Sequence, residues 1–116
     1  MKVERTDAEV WASWFRALGD PSRILILHLL ATEGRAMTVG EVVEAVDIGQ
    51  STVSHHLKVL AEVRFVLVEQ RGTTREYRVN ERCLDCFPSA AELVMGRVPA
   101  GATPDALAGT RRRRSC

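Results

Sequence analysis

The chain has 116 residues, 46% of them hydrophobic, with 16 basic against 15 acidic side chains. That length builds one core rather than two, since domains run to roughly 100–150 residues, and no apolar run approaches the roughly 18 residues of a membrane span. The charged start Met1-Lys2-Val3-Glu4-Arg5 lacks the apolar stretch of a signal peptide, so a cytoplasmic location with reduced thiols is expected, and Cys83, Cys86 and Cys116 read as free thiols or ligands rather than as disulfides.

Trp11, Trp14, Phe15 and Leu18 recur at helical spacing, which predicts a first helix from about Asp7 to Gly19. Asp20 then caps a second helix with Pro21 at its first position, where the missing amide hydrogen costs nothing. Ile24-Leu25-Ile26-Leu27-His28-Leu29-Leu30 is apolar nearly all round and predicts the central buried helix, with His28 as a hydrogen-bonded core group. Ala36-Met37-Thr38-Val39 suits a minor strand. A brief third helix is expected over about Val39 to Val46, a glycine-containing corner at Asp47-Ile48-Gly49-Gln50, and a fourth helix over about Ser51 to Glu62. From Phe65 the pattern alternates, turns at Arg71-Gly72-Thr73-Thr74 and returns through Glu76-Tyr77-Arg78-Val79, which reads as a β-hairpin with a basic tip. Pro88 is expected to open a last helix of about Ser89 to Met95, ended by Gly96. Residues 97–116 carry Arg111-Arg112-Arg113-Arg114 and too little apolar periodicity for a core, so 1–96 reads as the folded domain and 97–116 as a flexible basic tail, its arginines solvated or, in the other reading, adding nonspecific phosphate contacts.

A helical wheel over residues 51–60 gathers Val53, Leu57 and Leu60 on one face and Ser51, Ser54, His55 and Lys58 on the other. A small, polar, cationic outer face suits an element that enters a DNA major groove, with hydroxyls allowing close approach and lysine pairing with phosphate. A short helix and a corner precede it, which completes a helix-turn-helix. Arg71, Arg75 and Arg78 of the hairpin lie where a wing meets the adjacent backbone. The expected DNA-binding set is therefore Gln50, Ser51, Thr52, Ser54, His55, Lys58, Arg71 and Arg75. The fold class is mainly α with a small β-hairpin: a winged helix-turn-helix ordered helix, helix, short strand, helix, helix, two strands, helix.

Phe15-Arg16-Ala17-Leu18-Gly19-Asp20-Pro21-Ser22-Arg23, then Gln50-Ser51-Thr52-Val53-Ser54-His55-His56-Leu57-Lys58-Val59-Leu60, then the hairpin ending Tyr77-Arg78-Val79, resemble the ArsR/SmtB family of metal- and metalloid-responsive repressors over roughly residues 7–96. The resemblance implies a homodimer built by the first and last helices, bound to double-stranded operator DNA and released by an inducer. Trp11, Trp14, Leu18, Leu93 and Val94 are then candidate dimer contacts, with core filling as their other reading. Arg64 stands where the family commonly has glycine; a left-handed turn there costs roughly 1 kcal/mol, so a looser or differently shaped join to the wing is expected.

Many arsenic sensors of that family carry cysteines on the third helix, and Val39-Gly40-Glu41-Val42-Val43-Glu44-Ala45-Val46 has none. Cys83 and Cys86 form a C-x-x-C that can converge on a soft ion, with Cys116 supplying a third thiolate for trivalent arsenic, zinc being the weaker candidate. Neither His55 nor His56 is assigned to metal, and no obligatory cofactor is expected. The competing reading keeps the repressor and governs it by thiol oxidation. An enzyme is not expected, because this C-x-x-C does not follow a strand of a βαβ unit and no base is aligned with a nucleophile.

Overall fold

Asp20 separates the first two helices. In the computed structural model, which describes residues 3–97, α1 spans Arg5–Ala17 and α2 spans Pro21–Glu33. The Asp20 carboxylate accepts from the Ser22 amide at 2.8 Å. That hydrogen bond holds its pKa below the ordinary value, and Pro21 opens the helix as expected. Gly34 ends α2 in the left-handed conformation, at φ 66°, where a Cβ would cost energy.

Met37–Thr38 forms β1 and leads at once into α3, Val39–Val46. Thr38 Oγ1 accepts from the Glu41 amide and Glu41 accepts from the Thr38 amide, a reciprocal cap that fixes where α3 begins. Asp47, at φ 53°, turns the chain, and α4 runs over Gln50–Glu62 from the N-cap Gly49. β2 (Val66–Arg71) and β3 (Thr74–Val79) pair antiparallel around the Gly72 turn. β1 joins the outer side of β3, Met37 opposite Tyr77, to give a three-stranded sheet ordered β1-β3-β2. The last helix, α5, spans Cys83–Val94.

One core joins these elements. Ile26 and Leu30 of α2, Val42 of α3, Val53, Leu57 and Leu60 of α4 and Phe65 and Val66 of the wing base are all buried. At roughly 25 cal/mol per Å² of apolar surface removed from water, each such aliphatic side chain contributes about 1.5–3 kcal/mol before the entropy of ordering is subtracted. Trp11 and Trp14 of α1 belong to this core as well.

Three expectations need correction. Helix α2 is central but not buried all round: Ile24 and Leu25 are 51% and 56% exposed. His28 is exposed rather than a core group; it is among the residues lining an apolar cavity of about 330 Å³ between α2, the wing base and α5. Finally, α5 begins at Cys83 rather than at Pro88, so Pro88 lies inside it. Its ring forgoes one helical hydrogen bond, and ring packing of Phe87 against Phe15 and Phe65, at 5.3 and 5.4 Å, anchors this part of the helix.

Candidate nucleic-acid interface

Helix α4 is split lengthwise by its own sequence. Val53, His56, Leu57 and Leu60 face inward and are buried, while Gln50, Ser51, Thr52, Ser54, His55 and Lys58 are all exposed. The structure therefore collects the six predicted α4 residues on one solvent-facing surface. Gly49 gives the helix no side-chain cap, so no N-cap side chain occupies its first-turn amides. Hydroxyl, amide, imidazole and ammonium groups on one helix offer donors and acceptors to base edges and a cation to phosphate.

The wing is more nearly neutral than its arginines suggest. Arg71 Nε lies 3.1 Å from Glu76 Oε1, and Arg78 Nε donates to Glu69 Oε1 at 2.8 Å. Arg75, whose cross-strand partner is the neutral Gln70, enters none of the ion pairs among the described residues. Such exposed pairs are worth roughly 0–1 kcal/mol, so Arg71 can exchange Glu76 for a phosphate at little cost, and Arg75 needs no exchange.

The join between α4 and the wing is a backbone hub. Arg64 sits at φ 63°, so the left-handed turn is adopted despite the arginine. Its carbonyl accepts from Asn80 Nδ2 at 2.9 Å and from Cys83 Sγ at 3.4 Å. Asn80 is buried; its amide donates to the Phe65 carbonyl, and its Oδ1 accepts from the Arg82 amide. Asn80 thus ties the end of α4, the foot of the wing and the start of α5 together. Sequence reading missed it, although a lone asparagine between a strand and a helix is itself a capping signal.

Cys83 is buried, and desolvation pushes its thiol up to about 11 from 9.0. In this conformation it is a hydrogen-bond donor rather than a thiolate. The side chain of Cys86 and the whole of Cys116 lie outside the described residues, as does Arg111-Arg112-Arg113-Arg114. Among the described residues no three His, Cys, Asp or Glu side chains converge as a metal site would require, and no helix is long and apolar enough to cross a membrane.

The candidate dimer residues divide in two. Trp11 and Trp14 are spent on the chain's own core, at 8% and 4% exposure, whereas Leu18 and Leu93 are half-buried and Val94 is 55% exposed. Phe15 and Met95 are further apolar side chains left uncovered near them. A second cavity, lined by Val3, Trp11, Phe15, Leu93 and Val94 among others, lies between α1 and α5.

Comparison with known proteins agrees with this architecture. Residues 20–67, from the cap of α2 to the first wing strand, match the family described as bacterial regulatory protein, arsR family. The chain is 34% identical over 94 residues to a probable mercury resistance operon repressor of Streptomyces lividans, an alignment covering 81% of this chain and 69% of that one. It is 33% identical over 79 residues to an arsenical resistance operon repressor of Staphylococcus xylosus, covering 68% and 74%. Among solved structures it resembles a homodimeric winged helix-turn-helix DNA-binding domain of Mycobacterium bovis, with TM-score 0.64, 23% identity and coverage of 89% and 96%.

Proposed function

The chain belongs to the arsR family of bacterial regulatory proteins, and on that premise we propose that it is a homodimeric repressor that holds operator DNA through α4 and the wing and releases it on binding a thiophilic inducer. The observation that carries the reading is the sorted surface of α4. Its inner face is locked into the core while every outward residue from Gln50 to Lys58 is polar and exposed, apart from the small apolar methyl of Thr52. In this reading Gln50, Ser51, Thr52, Ser54 and His55 meet base edges, and Lys58, Arg71 and Arg75 meet phosphates. Residues 1–96 form the DNA-binding and dimerisation domain, and 97–116 form a basic tail.

Dimerisation uses α1 and α5. Leu18, Leu93 and Val94 lie at the contact, joined by Phe15 and Met95, with Trp11 and Trp14 supporting it from behind. Two symmetric reading helices then ask for an imperfect palindrome with half-sites about one duplex turn apart.

Trivalent arsenic is the inducer proposed, held by Cys83 and Cys86 with Cys116 as third ligand. The relatives named for arsenical and mercury resistance support a soft ion. Burial of Cys83 adds a mechanism. Its sulfur becomes a ligand only by giving up the Arg64 carbonyl, so ligation and the shape of the α4–wing join are alternatives, and the ion's preference for one shape is what shifts the equilibrium.

The test is binding of the reduced protein to duplex DNA from its own upstream region, titrated with arsenite, zinc and copper(I), for wild type, Cys83→Ser and Cys86→Ser. The expected result is tight binding released by arsenite in the wild type alone. Binding indifferent to every ion would keep the repressor and remove the sensor.

A further inference from the structure

Apolar packing holds the inner face of α4 against the core through shape alone, and a directional hydrogen bond adds a constraint on the helix's rotation that dispersion contacts do not supply individually. Among the described residues, a side-chain hydrogen bond reaches its buried side. Arg23, in the first turn of α2, places Nη1 3.2 Å from His56 Nδ1, and the same guanidinium donates through Nε to the carbonyl of Ala17, the last residue of α1, at 2.6 Å. Arginine can only donate, so Nδ1 is the acceptor and the ring proton is on Nε2. His56 is buried, and its neighbour in sequence, His55, is on the exposed face.

We propose that Arg23 and His56 are positioning residues for DNA recognition, a directional bond through which the α1–α2 elbow sets the rotation of the reading helix. This rests on the reading of α4 given above and adds to it the part that aims the helix. A helix with its side chains is about 10–12 Å across, so a rotation of about 20° carries a side-chain tip by about 2 Å. Hydrogen bonds to base edges do not survive such a shift, whereas a lysine or arginine follows a phosphate by changing rotamer. Loss of the bond therefore harms sequence preference more than it harms nonspecific affinity. Because the anchor on the other side is the end of α1, a helix of the proposed dimer contact, the bond also links the spacing of the two subunits to the aim of each reading helix.

The experiment compares affinity for a duplex from the protein's own upstream region with affinity for a shuffled duplex of equal length, at one salt concentration, alongside thermal unfolding. His56→Leu removes the acceptor, Arg23→Met removes the donor, and His56→Asn places an acceptor near the former Nδ1. His56→Leu and Arg23→Met are each expected to cut the preference for the upstream duplex about tenfold with affinity for the shuffled duplex unchanged. The double variant should be no worse than either single, and His56→Asn should stay within about twofold of wild type. Arg23→Met repeats the test from the other side of the bond should His56→Leu not fold. A preference kept by both single variants, a His56→Asn as poor as His56→Leu, or additive losses in the double variant overturns the inference. A wild type with no preference between the duplexes overturns the DNA-reading proposal and this inference together.

Discussion

Helices α4 and α5 are of nearly equal length, 13 and 12 residues, and each buries one side in the same core, yet the outer face of α4 and the exposed C-terminal end of α5 have opposite chemistry. Outside α4 stand serine, threonine, histidine and lysine; the outer end of α5 is Val94 and Met95, 55% and 83% exposed. A polar outer face is stable in water and keeps its donors for bases and phosphates. An apolar one gains when a second apolar face covers it, at roughly 25 cal/mol per Å². The contrast shows how one small core presents two kinds of surface, and the choice between them is made by a few outward positions rather than by the fold.

The largest effect is expected from making α5 resemble α4. Val94→Glu puts a charge into the proposed contact between subunits, where desolvating it without a partner is costly. The dimer should fall to monomers in sedimentation. Two linked reading heads gain a factor of 10²–10⁴ over one, so affinity for the upstream duplex should drop about a hundredfold or more with helix content unchanged. A monomer that still bound with wild-type affinity would break the comparison, since α5 would then have no part in DNA binding.

Next comes the first turn of α5, where Cys83 is buried as an inner α4 residue is. Thiolate is the reactive form. With the thiol raised from 9.0 to about 11, alkylation of Cys83 at pH 8 in the folded, metal-free protein should be about a hundredfold slower than in urea, read site by site by mass spectrometry. The same shift fixes a pH effect. Below 9 both states keep the proton; between 9 and about 11 the unfolded chain loses it first, so stability relative to Cys83→Ser declines across that window and is flat below it. Fast native alkylation would show that the start of α5 opens readily.

The elements that local patterns fix were legible in the sequence. The Asp20 cap, the α3 helix, the corner before α4 and the hairpin turn all depend on residues within a few positions of one another. The outward face of α4 was legible because inward Val53, Leu57 and Leu60 recur at helical spacing. Features set at a distance were not. Pro88 reads as a helix start, but α5 is begun by Asn80 and Cys83 fastening onto the Arg64 carbonyl. Periodicity makes Trp11, Leu18, Ile24 and His28 look alike in apolar runs, and only packing decides that Trp11 is buried while Ile24 and His28 are open. His56 is buried on the inner face of α4, but its partner Arg23 is 33 positions away, beyond any local pattern.

The smallest effect tests the join between the two helices. Arg64 holds φ 63°, which costs a residue with a Cβ roughly 1–2 kcal/mol, while glycine in its place brings an unfolded-state entropy cost of roughly 0.5–1 kcal/mol. Arg64→Gly should therefore stabilise the protein by about 0.5–1 kcal/mol, a rise of a few degrees in Tm. The hydrogen bonds from Asn80 and Cys83 go to the backbone carbonyl and survive the substitution. If the join acts only as a hinge of fixed shape, affinity for the upstream duplex stays within about twofold. If affinity falls while Tm rises, the exposed guanidinium of Arg64 is itself a phosphate contact, and the cationic surface of α4 extends past Lys58 to the foot of the wing.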